Sequence, residues 1–178
     1  YDLLVVADDI YTSFSFQNKF EPIASIPGMR ERTVIINSFS KNFLMTGWRI
    51  GSVIAPEYII RVMAELNECV VFSAPAVSQR AALYALQNRK SIQPPIIEEY
   101  KKRMEYSAER INQIPWMKVI APPKGSFYLF INVKELGMSS QEVCSMILEK
   151  AHVLFLPGNL FGDCGEGYIR MACTVGED

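Results

Sequence analysis

Three short apolar runs, each stopped by polar residues, do most to limit the folds open to this chain. Residues 3–7 (Leu-Leu-Val-Val-Ala) pass without a polar break into Asp8-Asp9. Residues 33–37 (Thr-Val-Ile-Ile-Asn) and 50–55 (Ile-Gly-Ser-Val-Ile-Ala) repeat the pattern, the first followed by Ser38 and the second stopped by Pro56. A strand with one solvated face alternates apolar and polar residues, whereas a strand covered on both faces of a parallel sheet is continuously apolar. The runs therefore predict interior strands of a parallel sheet. Ligands of open α/β sheets bind beyond the carboxyl ends of strands. Asp8 and Ser38 both stand at such ends, so one crevice can hold both.

Beyond these runs the apolar period lengthens. Residues 57–70 and 76–86 carry helical spacing, with Pro75 suited to a first turn. Pro94-Pro95 is expected to break the chain. Ile97, Tyr100, Met104, Ala108 and Ile111 then recur every three or four residues. Glu98 with Lys102 and Glu99 with Arg103 set acid before base at i,i+4 on the solvated side. This long helix reads as the passage into a second domain.

The remainder changes character. Residues 126–133 form a strand rich in aromatic and β-branched types, and Ser139-x-x-Glu142 is a capping box for a helix reaching Lys150. Residues 153–156 and 168–172 read as short strands, with a turn-rich loop between them. A strand–helix–strand unit of this kind predicts a small α+β domain. The expected division is residues 1–93 and 94–178. Both ends read as cut, since a strand opens the chain and nothing closes it after Thr174.

Composition narrows the function classes. With 178 residues, 49% of them hydrophobic, the chain can bury a core. A net charge of -1 gives no electrostatic case for nucleic acid or an anionic membrane as partner. No apolar run approaches the roughly 18 residues of a membrane span. The four cysteines show no Cys-x-x-Cys spacing and His152 is the sole histidine, so no metal site is expected. The thiols read as buried or part-buried in a reducing cytoplasm. His152 reads as a core-edge histidine, and Trp48 and residues 127–130 as core.

The chemistry concentrates at Ser38-Phe39-Ser40-Lys41-Asn42, closed by Gly47-Trp48-Arg49. A lysine in a loop is by default a solvated surface residue. A lysine that condenses with an aldehyde needs a partly desolvated setting or a neighbouring cation, and Arg49 is the cation on offer. Ser38 and Ser40 read either as strand-end caps or as hydroxyl donors to a phosphate, with Arg49 as the bidentate clamp. Asp8 and Tyr11 read either as a polar strand exit or as partners of a pyridine ring. A buried carboxylate facing the ring nitrogen of pyridoxal phosphate (PLP) keeps it protonated, which the cofactor's chemistry requires. Asp9 is the rival carboxylate, on the opposite side of an extended strand. Arg170 lies in the otherwise apolar Tyr168-Ile169-Arg170-Met171. It serves either a structural salt bridge or a substrate carboxylate.

These residues carry a family resemblance. Asp8-Asp9-Ile10-Tyr11, Ser38-Phe39-Ser40-Lys41, Gly47-Trp48-Arg49-Ile50-Gly51, Pro123-Lys124-Gly125-Ser126-Phe127-Tyr128, Pro157-Gly158, Phe161-Gly162 and Gly167-Tyr168-Ile169-Arg170 stand in order along nearly the whole chain. The sequence resembles the carboxyl-terminal half of class I/II aminotransferases, of the aspartate-aminotransferase-like superfamily of PLP enzymes. The resemblance implies a large α/β domain with a mostly parallel sheet, represented by residues 1–93, and then a small α+β domain, incomplete at its end. It implies Lys41 as the Schiff-base lysine and proton shuttle, and Asp8 at the pyridine nitrogen. It implies Tyr11 at the ring oxygen, Ser38, Ser40 and Arg49 at the phosphate, and Arg170 at the substrate α-carboxylate. A cytoplasmic homodimer acting on an amino acid and a 2-oxo acid is the expected form. The family's upstream phosphate loop, ring-stacking aromatic and asparagine have no counterparts in this chain. Two rival functions share the fold: a PLP-dependent carbon–sulfur β-lyase, and the PLP-sensing domain of a transcription regulator.

Overall fold

The first two apolar runs form strands β1 (Val5–Asp8) and β2 (Thr33–Ser38) in the computed structural model, which describes residues 2–176. They pair in parallel, with Val5 opposite Thr33 and Asp8 opposite Ile36. The third run, β3 (Gly51–Ile54), returns antiparallel on the far side of β2, so the sheet order is β1-β2-β3. A parallel return requires a crossover of a dozen or more residues, usually a full helix. The link 39–50 holds only the short helix α1 (Phe39–Asn42) and a tight turn, so the chain doubles back. Gly51 is needed there, because a Cβ would lie 2.7 Å from the Asn37 carbonyl oxygen.

Helices α2 (Glu57–Val70) and α3 (Ala76–Gln87) follow, over the residues whose spacing predicts them. Phe39 and Met45, on either side of the Lys41 turn, pack against Ala82 and Ala85 of α3. Burying a side chain such as Phe39 stabilises by about 1.5–3 kcal/mol, so this contact fixes the turn to the helix. None of the residues of α2 is buried.

Pro94 and Pro95 do not break the chain: helix α4 (Arg89–Asn112) runs through both. A proline's fixed φ is itself helical, and each removes one donor, here to the carbonyls of Lys90 and Ser91. Contacts on either side of the prolines offset that loss. Upstream, Asn88 accepts from the Ser91 and Ile92 N–H groups. Downstream, Tyr100, Met104, Ala108 and Ile111 are all buried. The chain divides into two compact units, Tyr1–Ile96 and Ile97–Asp178, and the division falls within α4.

The second unit carries an antiparallel sheet in the order β4-β6-β5, from β4 (Tyr128–Asn132), β5 (Leu156–Pro157) and β6 (Tyr168–Ala172). β5 is shorter than its apolar run, because only Leu156 and Pro157 find partners on β6. Leu129, Ile131 and Ile169 are buried on the inner face together with Val133, Val143 and Met104. Helix α5 (Ser140–Ala151) opens with the predicted capping box between Ser139 and Glu142. It ends at His152 in the left-handed region, an exposed cap and not a core-edge side chain. Trp48 is likewise exposed. Cys144 and Cys173 are buried, but Cys69 and Cys164 are exposed, and all four are free thiols. No helix among the described residues is long and apolar enough to cross a membrane.

Candidate active site

Strand alternation sorts the residues at the sheet edge. Asp8 pairs with Ile36, and side chains two apart on a strand share a face, so Asp8 and Ser38 lie on one face of the sheet. One strand spacing and two residue rises separate them by about 8 Å. The Asp9 N–H donates to the Ile36 oxygen at 2.8 Å, continuing the ladder and turning Asp9 to the other side. Burial, and then the charge of Asp8, push the Asp9 carboxyl above the usual aspartate value. Asp8 itself is exposed at the strand exit. Of the two carboxylates, Asp8 therefore shares a face with the serine. Tyr11 follows in the turn after β1 and is half-buried.

The lysine stands on a turn held at several points. Ser38 caps α1, its Oγ accepting from the Ser40 N–H at 3.1 Å. Acting as an acceptor leaves its own O–H available to donate, so cap and anion donor are compatible roles. Lys41 is the third residue of α1 and half-buried. The chain then bends through Leu44 (φ 55°) and Arg49 (φ 51°), both left-handed. The Arg49 guanidinium donates to the Thr46 carbonyl at 2.8 Å. Phe39 N–H reaches the Ile50 oxygen at 3.3 Å and Ser38 pairs with Gly51, which returns Arg49 to the strand end that carries Ser38. The buried Ser78 hydroxyl of α3 donates to the Trp48 oxygen at 2.8 Å and pins the turn from behind.

One residue of this site escaped the sequence reading. Asn42, next to the lysine, is buried. Its Oδ1 accepts from the Ser13 N–H at 3.1 Å, and its Nδ2 donates to Thr12 Oγ1 at 3.0 Å and Asn37 Oδ1 at 3.5 Å. Gln93 donates to Ser13 Oγ at 2.9 Å and to the Asn42 carbonyl at 3.4 Å. The lysine turn is thereby fastened to the segment that bears Tyr11. An asparagine beside a lysine carries no signal of this, since Ser13 and Thr12 stand 29 and 30 residues away.

In the second unit, alternation divides the aromatic strand. Phe127 and Leu129 are buried, but Tyr128 and Phe130 project from the opposite face, so only part of residues 127–130 is core. Phe130 pairs with Arg170, which shares that face. Among the described residues no carboxylate pairs with Arg170; its guanidinium carbon lies 4.4 Å from the Tyr128 ring centre and 4.5 Å from that of Phe161. Of the two readings of Arg170, the structural salt bridge is the one left without a partner.

The donor set suits a phosphorylated pyridine aldehyde. Ser38 ends β2 and caps the helix that carries Ser40 and Lys41, Asp8 shares the sheet face of Ser38, and Arg49 lies on the turn that leads back to Gly51, opposite Ser38. Among the described residues no group of histidine, cysteine or carboxylate side chains could hold a metal ion.

Comparison with known proteins bears on the family. Residues 1–178 match the family described as "Aminotransferase class I and II". The aspartate aminotransferase of Pyrococcus abyssi is 38% identical over 177 residues, covering 97% of this chain and 44% of the relative. Aromatic-amino-acid aminotransferase 2 of Thermococcus litoralis is 37% identical, with 97% and 44% covered. The crystal structure of an aromatic aminotransferase from Pyrococcus horikoshii OT3 superposes with a TM-score of 0.91 at 35% identity, covering 98% of this chain and 47% of that one. The chain thus spans a little under half the length of the curated relatives it matches. From the ordered motifs, the α/β fold and these matches together, the chain belongs to the class I and II aminotransferase family.

Proposed function

We propose that the protein is a PLP-dependent aminotransferase, which moves an amino group between an amino acid and a 2-oxo acid. The observation that carries this reading is the shared sheet face of Asp8 and Ser38, with Lys41 in the short helix that follows Ser38 and Arg49 on the turn that returns the chain to Gly51, opposite Ser38. When bound, PLP supplies an aldehyde carbon and a protonated pyridine ring that draws electron density from the substrate Cα. Asp8 holds the proton on the ring nitrogen, and Tyr11 donates its hydroxyl to the ring oxygen. Ser38, Ser40 and Arg49 hold the phosphate by charge-assisted hydrogen bonds. Lys41 Nζ would hold the cofactor through its aldehyde carbon, with loss of water. The same amine would serve as the general base and then acid that moves the proton at the substrate Cα. Arg170 takes the substrate α-carboxylate.

In this reading the first unit is part of the cofactor-binding large domain and the second belongs to the small domain. The whole protein works as a cytoplasmic homodimer. The test is 2-oxo acid formation from amino acids by the protein at its full natural length. Lys41→Ala should lower the rate by at least about a hundredfold, the smaller end of general acid–base contributions. A variant that keeps the parental rate contradicts the role of Lys41. Release of pyruvate and sulfide without amino-group exchange would make the protein a β-lyase instead.

A further inference from the structure

We propose that Tyr128 and Phe161 are positioning residues that hold the Arg170 guanidinium for an in-plane carboxylate ligand; this rests on the reading of Arg170 as the carboxylate site. The outer face of the second sheet is a continuous ladder of rings and cations. Tyr128 and Phe130 come from alternate positions of β4, and Tyr168 and Arg170 from alternate positions of β6. Phe161 arrives from the 3-10 turn Gly158–Phe161. It meets Phe130 edge-on at 6.3 Å, and Phe130 stacks on Tyr168 at 5.1 Å with an interplanar angle of 9°. Lys134 Nζ lies 4.9 Å over the Tyr168 ring.

The turn that delivers Phe161 is built for close approach. A Cβ on Gly158 would collide with the carbonyl oxygens of Gly165 and Tyr168 and with the Phe130 ring. A Cβ on Gly165 would in turn meet the Gly158 carbonyl. Backbone contact therefore anchors the start of the turn, three residues before Phe161, whose ring is 50% exposed.

A guanidinium meets an aromatic ring through electrostatic attraction to the ring face, while all its N–H bonds lie in its own plane. Rings can therefore restrain Arg170 without consuming its donors. Among the described residues those donors make no hydrogen bond or ion pair. A carboxylate partner would have restrained the side chain just as well, but would have occupied the fork. Two rings and no counter-ion are the arrangement expected of a guanidinium kept oriented and vacant for an arriving anion. A planar carboxylate matches its bidentate geometry.

The test is the dissociation constant of butyrate, with neutral butyramide as control, measured by saturation-transfer NMR on the full-length protein carrying its cofactor. Tyr128→Leu and Phe161→Leu should each weaken butyrate binding by roughly 3- to 10-fold, the fold-change of one cation–π contact, and leave butyramide unchanged. The ring-conserving Tyr128→Phe and Phe161→Tyr should retain the parental affinity. Parental butyrate affinity in both leucine variants overturns the proposal, and so does a loss in the ring-conserving variants equal to that in the leucine ones. Arg170→Gln separates the underlying reading. If it too binds butyrate like the parent, Arg170 is not the carboxylate site; if it alone loses butyrate, Arg170 is the site and the rings do not position it.

Discussion

At the scale of single residues, the site depends on side chains that touch no reactant. Asn42 makes hydrogen bonds to Ser13, Thr12 and Asn37 from a buried position. Leaving a buried donor or acceptor without its partner costs about 1–3 kcal/mol. Asn42→Ala should accordingly lower the urea midpoint of the full-length protein at an unchanged m-value. An unchanged midpoint would mean that this network carries no stability. Individual residues were unevenly legible in the sequence. Asp8, Lys41 and Arg49 stand out because their types are chemically distinctive and close to strand ends. Asn42 does not, because its meaning lies in a segment folded back from 29 and 30 residues away. That Asp8 shares a sheet face with Ser38 needed the register with Ile36, a fact about two strands and not about one.

Among elements, periodicity identified α2, α3, β2 and β6 closely, since each has a buried or amphipathic pattern over its length. It failed where two influences compete. Pro94-Pro95 reads as a break on local chemistry, yet the buried face from Tyr100 to Ile111 keeps α4 whole. Tyr128 and Phe130 read as core on composition, yet strand alternation sends them to the face of Arg170. Helix α5 offers a titratable test. Glu142 lies below the usual glutamate value because the Ser139 side chain and N–H donate to it, and Glu166 because the Ser140 N–H does. A carboxyl whose pKa is depressed by folding stabilises above its unfolded value, here 4.5, and that contribution fades as pH falls through the folded value. Asp9, raised by burial, acts in the opposite sense from 3.8 upward, so the comparison must be with the parent. The Glu142→Gln/Glu166→Gln variant should lose less stability than the parent between pH 6 and about pH 3 in thermal melts. Parallel loss in both would contradict these contacts.

For the whole molecule, the α/β class and the family were legible because strand-end chemistry, the Gly-Trp-Arg turn and the Arg170 strand occur in one order along the chain. The second unit's cation–ring ladder was not, because it is a property of pairing between β4 and β6 and of a turn folded onto them. In the proposed function one amine, between β2 and β3, takes the cofactor's aldehyde. The most direct measurement is borohydride reduction of the full-length protein with PLP, followed by peptide mass mapping. The account predicts the pyridoxyl group on Lys41. Its appearance on another lysine, or on none, would contradict the account.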